Sequence, residues 1–400
     1  MGTVQSFIDR ALSEGEGVLR LAPAFVPRQF CRPGRRLRLH PDDYYALGLT
    51  RGAIDERWFA STVRADNGPL TPEDEGLSYI VDQHGEKCLL LDAVNELKGD
   101  LIGHALYAKY QRWPMFSKFF DNAGPLPHHI HQSDEFAQRV GQWGKPEMYF
   151  YPAQYNNYGG EFPHTFFGLN PDTTPDMLKQ VLMDFTKGDN HLLELSHAYK
   201  LKLDTGWDVP PGVLHAPGSL CTYEPQFASD VFSMFQSVLQ GDHAVVEDNL
   251  WKNSPEALRG NFDDLIDMVD WDINLDPDFV KHRYMEPITV SDDGALREEW
   301  ICYRSPVAGA KRLTIAPGAK VVYKDAVACG MLCIQGYGKL NTLNIAAPQL
   351  IRYGQLTDDE FFVPEQTAVK GISLENHSRT EPLVVLVHFA EHPNRESICP

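Results

Sequence analysis

His129 and His131 stand two residues apart in "PLPHHIHQSDEF", residues 125–136. Alternate residues of a strand share a face. The two imidazoles would therefore point the same way, with Ile130 on the other side. Two neighbouring metal ligands need that arrangement. A solvated or buried histidine pair shows it too, so the pair means a metal only if further ligands arrive from elsewhere. Glu147 is the first candidate, the one acid of the aromatic strand segment "EMYFYP". A carboxylate inside such a strand is costly unless paired or coordinated; an edge glutamate facing water is the plain alternative. His215 ends "DVPPGVLH", where prolines and a glycine prescribe a tight turn that fixes the histidine behind it. An ordinary turn histidine would look the same by itself. Beyond it, Glu224, Gln226, Asp230 and Gln236 fall at even positions, so one strand would line a face with polar groups.

These residues need short strands to carry them, and the composition suits that. The 400 residues suffice for two domains or one large fused unit, and 28 prolines and 31 glycines spread along the chain imply many turns. Apolar residues at 43% allow a packed core, and 23% charged residues separate the chain from disordered sequences. A net charge of −19 repels phosphate backbones and anionic membrane surfaces, which argues against nucleic-acid and membrane partners. No apolar stretch approaches the ~20 residues that span a bilayer. The start "MGTVQSFIDRALSEGEGVLR" lacks the basic-then-apolar pattern of a secretory signal. The seven cysteines, Cys31, Cys88, Cys221, Cys302, Cys329, Cys333 and Cys399, are odd in number and irregularly spaced, with no C-x-x-C. Free thiols in a reducing, cytoplasmic setting are expected.

Along the chain, residues 4–14 read as an amphipathic helix. Residues 53–93 alternate brief apolar segments with turns, and 89–111 are helical in pattern. Residues 115–124 form an apolar strand with Lys118 inside it, and 146–152 form another. Residues 171–196 read as a helix with caps near Asp172 and Thr174 and a stop at Gly188. Residues 198–238 read as strand, turn, strand, and 239–285 as a charged helical connection. The last hundred residues return to strands. The expected class is mainly β with helical insertions. The division is an N-terminal extension (1–50), a β unit holding the site (51–238), a helical connection (239–288) and a second β unit (289–400).

His-x-His, then glutamate, then histidine on the strands of one β unit is the metal-ligand order of the cupin barrel. From about Glu56 to the C-terminus the chain resembles the type I mannose-6-phosphate isomerases. "FSKFFDNAGPLPHHIHQSDE" is similar to the family's lysine-bearing strand followed by its "PLSVQVHPDD"-type metal motif. "GKPEM" resembles the lysine–proline–glutamate stretch, "VPPGVLHAPG" the segment with the last histidine ligand, and "ERW" (56–58) the N-terminal "ESWE". "EPQFASD" keeps the family spacing of glutamate and aspartate. The resemblance implies two fused cupin-like (jelly-roll) β-barrels with a metal site in the first only. In the second, "VPEQTAVKG" has the outline of the proline turn, but Val369 stands where a ligand would fall. It implies His131, Glu147 and His215 as metal ligands. His129 stands where the family usually has glutamine, which gives three histidines and one glutamate. Lys118 and Lys145 match lysines near the substrate, and Glu224 and Asp230 match acids of the motif. One departure concerns specificity. The family has an arginine four residues after the aspartate, and this chain has Met234, which cannot pair with phosphate.

The function so implied is a metal-dependent aldose–ketose isomerase acting on mannose 6-phosphate or a related sugar through an enediolate. One divalent ion, Zn²⁺ first and Mn²⁺ or Fe²⁺ as alternatives, would act as Lewis acid. Glu224, Asp230 or His128 would move the proton, and Lys145 would assist. Lys118, His128 and Gln226 would touch the substrate. Met234 keeps open an isomerase of a free aldose such as mannose or lyxose. Three histidines with one glutamate keep open a cupin dioxygenase. A sugar-binding cupin without catalysis is the remaining alternative.

Overall fold

The computed structural model describes residues 3–29, 32–157, 162–239 and 243–398. Strands dominate, in four main sheets. A seven-stranded antiparallel sheet runs Tyr284–Met285, Gly206–Val209, Glu147–Phe150, Thr222–Phe227, Met115–Phe120, Ala53–Phe59, Ala24–Arg28. A five-stranded sheet runs Ser196–Lys200, His164–Leu169, His215–Ala216, His129–Ile130, Ser233–Met234. Nine-stranded and four-stranded sheets hold most of the C-terminal strands. Each sheet is open in its hydrogen bonding, so closed barrels, expected from the sequence, are not what the strands form.

The seven-stranded sheet is buried on both faces. Met115, Phe119, Met148, Phe150 and Tyr223 join one large core with Leu332, Leu386 and other residues of the nine-stranded sheet. The alternate residues of the same strands face the five-stranded sheet. That sheet's outer face, with Ile130 and Leu214, packs against Leu178, Leu182, Leu265 and Ile266. The helical segments thus form a cover on the far side. The site lies between the seven- and five-stranded sheets.

Several elements depart from the sequence reading. The 89–111 pattern is three helices, Leu90–Leu97, Gly99–Ile102 and His104–Tyr110, separated at Lys98 and Gly103, both at positive φ. The Pro175–Met183 helix is capped by Thr174, as expected, but ends before Gly188. "VPEQTAVKG" is not a β turn: Pro364 leads into a helix, Glu365–Lys370, whose Val369 is exposed. Leu19–Ala22, Tyr79–Val81 and Lys87–Leu89 pair within the nine-stranded sheet, although the sequence placed them in an extension and in the site unit. Strand partners so distant in sequence leave no local trace. Cys221, Cys302, Cys329 and Cys333 are buried free thiols and Cys88 is half-buried; Cys31 and Cys399 lie outside the described residues. No helix among the described residues is long and apolar enough to cross a membrane.

One buried ion pair ties the sheets together. The Arg57 guanidinium donates to both Asp359 oxygens, at 2.7 and 2.9 Å, and to Glu360 at 3.3 Å. Burial pushes the Glu360 carboxyl up to about 8. Arg57→Met leaves these carboxyls buried without their counter-charge. The expected loss is about 3–5 kcal/mol of stability, read as a lower urea midpoint at unchanged slope.

Candidate metal centre

The Gly206–Val209, Glu147–Phe150 and Thr222–Phe227 strands follow the alternation that sequence predicts, with Met148 and Phe150 in the core and Glu147 and Tyr149 on the inner face. Across five neighbouring strands that inner face carries Glu147, Glu224, Lys118, Glu56 and Arg28. Opposite charges pair along the row. Lys118 Nζ lies 3.2 Å from Glu56 and 3.5 Å from Glu224. Arg28 lies 3.2 Å from Glu56 and 3.0 Å from Asp230. Lys145, in the turn before Glu147, reaches back to Glu147 at 2.8 Å and Glu224 at 3.4 Å. All these side chains are buried except that of Asp230, which is partly so.

The five-stranded sheet brings the imidazoles. His129 pairs with His215 in register, and the ring nitrogens of His129, His131 and His215 lie within 4.8 Å of one another. Gly212, at φ +82°, makes the turn before His215, and its N–H bonds the His131 carbonyl at 3.0 Å. The Pro-x-Gly turn therefore ties two of the histidines directly to each other.

Each imidazole is anchored through Nδ1 to a backbone carbonyl. His129 meets Pro127 O at 2.7 Å, His131 meets Val231 O at 2.7 Å, and His215 meets Val213 O at 2.8 Å. A carbonyl only accepts, so Nδ1 carries the proton and Nε2 presents a lone pair. Burial draws His131 down to about 4, so it stays neutral at neutral pH. Burial and the two neighbouring imidazoles lower His129 as well. Glu147 faces these lone pairs, 3.1 Å from His131 Nε2 and 3.2 Å from His215 Nε2. Burial opposes its charge, but the Lys145 ammonium helps keep its pKa well below the usual carboxylate range. Among the described residues His215 Nε2 has no hydrogen-bond partner, and the Lys145 ammonium lies 3.1 Å from His131 Nε2 and 2.8 Å from Glu147, so these acceptors already gather around one cation. The three histidines, with Glu147 touching two of them, make a donor set that fits a divalent cation.

Comparison with solved structures adds the fold. The mannose 6-phosphate isomerase from Bacillus subtilis superposes at TM-score 0.63 with 15% identity, covering 93% of this chain and 99% of that one. A point variant of the phosphomannose isomerase from Salmonella typhimurium superposes at TM-score 0.62 with 12% identity, covering 94% and 100%. The chain has the fold of the mannose-6-phosphate isomerases. No family model matches the sequence, and no curated protein matches it.

Within this isomerase fold the expected residues divide. His129, His131 and His215 converge, and Glu147 touches the last two. Glu224, Lys118 and Lys145 stand beside them. Gln226 shares the face of Glu224, with its amide 2.7 Å from Ser229 O. Asp230 is not on that strand, which ends at Phe227. It enters from the following loop, and Arg28 and the Asp66 N–H hold it at 3.0 and 2.9 Å. His128 is a correction. It shares the Ile130 face, opposite His129 and His131, and hydrogen-bonds Gln236 at 3.1 Å against the Phe166 ring. Gln236 thus serves His128 rather than a polar strand face. Met234 is buried and pairs with His129 in the sheet.

Sequence reasoning missed Arg28, Glu56 and Tyr149. Tyr149 donates to Glu147 Oε1. Two-residue alternation from Glu147 would have found Tyr149, and alternation within "ERW" would have set Glu56 apart from Arg57. Nothing in "AFVPRQF" marks Arg28 as a site residue.

Proposed function

We propose that this protein is a metal-dependent aldose–ketose isomerase of the mannose-6-phosphate isomerase type. The observation that carries the reading is the trio of anchored imidazoles whose ring nitrogens gather within 4.8 Å of one another, two of them beside a buried carboxylate. His129, His131, Glu147 and His215 would hold one divalent ion, Zn²⁺ with Mn²⁺ or Fe²⁺ as alternatives. Bound there, the ion supplies Lewis acidity to the sugar oxygens.

The rest of the chemistry falls to the chain. Isomerisation moves one proton between neighbouring carbons and another between their oxygens. Glu224 is the proton carrier. Burial and the Glu147 charge raise its pKa to about 8, so it can both take and give a proton near neutral pH. Lys145 keeps its charge because Glu147 and Glu224 outweigh its burial. It donates to oxygen as negative charge develops. Lys118 and Gln226 orient hydroxyls, and Asp230 fixes Arg28. Exclusion of water by the buried walls strengthens each contact. The reading also takes residues 51–238 and 289–400 as two cupin-like β units, with the metal in the first only, and residues 239–288 as the helical connection between them.

Ketose formation from mannose, lyxose and mannose 6-phosphate tests this. A chelator is expected to abolish it, and one divalent ion to restore it. Full turnover in chelator, or no ketose from any aldose, would overturn the proposal.

A further inference from the structure

Apart from the exposed Arg32, the cations lining and flanking the site are paired with carboxylates. Arg28, Arg51 and Lys252 line a cavity of about 760 Å³ together with Asp66, Asn67 and Phe232. The cavity connects indirectly to the candidate metal centre: Phe232 of its lining follows Val231, whose carbonyl anchors His131, and Arg28 holds Asp230 and Glu56. Arg51 is bound to Glu75 at 2.6 Å, and Lys252 to Asp66 at 2.9 Å. Deeper in, Lys118 sits between Glu56 and Glu224, and Lys145 between Glu147 and Glu224. Arg32 also lines the cavity but is exposed at its edge.

A phosphate held by Arg28 or Arg51 would have to draw that cation from its partner and strand a buried carboxylate. Met234 next to His129 contributes no charge. A sugar hydroxyl makes no such demand. It both donates and accepts, and the Arg28–Asp230 pair, with Asn67 bonded to Arg28 at 2.9 Å, offers donors and acceptors side by side.

We infer that the substrate is an uncharged aldose rather than a sugar phosphate, admitted through this cavity with Arg28 and Asp230 reading its hydroxyls. The inference rests on the isomerase reading and narrows its substrate class.

The test compares kcat/KM on D-mannose, D-lyxose and D-mannose 6-phosphate with the metal-loaded protein, alongside calorimetric binding of mannose and its phosphate ester. The best free aldose is expected to exceed the ester by about tenfold or more. An ester used as well or better overturns the inference while leaving the isomerase reading intact. Mannose bound without ketose formation supports the uncharged ligand and sinks the isomerase. Binding of neither overturns both. Met234→Arg is expected to raise the ester-to-aldose ratio by about tenfold. An unchanged ratio in the folded variant overturns the role given to the missing cation, and the wild-type comparison stands whether or not that variant folds.

Discussion

His131→Ala and Glu147→Ala are each expected to lose the divalent ion and to lower ketose formation by more than about a thousandfold, the scale of losing preorganised electrostatic stabilisation. The two residues come from opposite sheets, so neither sheet alone can hold the cation. His131 offers Nε2 only because the Val231 carbonyl takes its Nδ1 proton, and alanine removes both. Among the described residues, Glu147 is the sole carboxylate touching two of the imidazoles, at 3.1 and 3.2 Å. Without it, three neutral rings hold a divalent ion with no compensating charge. Metal analysis after gel filtration, beside the ketose assay, checks this. Full metal occupancy in both variants would refute the ligand assignment.

Glu224→Gln is expected to lower kcat by about 10²- to 10⁴-fold, the usual weight of a positioned proton carrier, while the metal stays bound. Glutamine keeps the size and the hydrogen-bonding shape but cannot take a proton. Glu224 stands 3.4 Å from Lys145 and 3.5 Å from Lys118 and does not touch the imidazoles' anchoring carbonyls. Metal content therefore separates its role from that of Glu147. Asp230→Asn gives the contrast. Asp230 is held low, against its burial, by Arg28 and the two lysines, and it positions Arg28, so its loss should appear mainly in KM. Equal kcat in wild type and Glu224→Gln would remove Glu224 from the chemistry.

The four ligand candidates were legible in the sequence because their placement is local. His129 and His131 follow from strand alternation, and His215 from a proline–glycine turn that imposes one geometry. Glu147 follows from the cost of an acid in an apolar strand. The same rule excludes His128, since a neighbour in sequence is on the opposite face of a strand; grouping it with the others weighed residue type above direction. Asp230 was misplaced because alternation was carried past Phe227, where the strand stops. Arg28 and Glu56 were hidden for a different reason. Their meaning lies in lateral pairing with Lys118, Glu224 and Asp230 across strands far apart in the chain. Only the order of strands in the sheet brings that row of charges together, and composition and spacing do not encode it. The joining of Leu19–Ala22 to the nine-stranded sheet was hidden likewise.

The most direct measurement of the central claim is anomalous scattering at the metal edge from crystals of the protein grown with its divalent ion. A single peak is expected within bonding distance, about 2.0–2.2 Å, of the Nε2 atoms of His129, His131 and His215 and of a Glu147 oxygen. A protein that turns over aldose with its ion bound anywhere else, or with that position empty, would contradict the account.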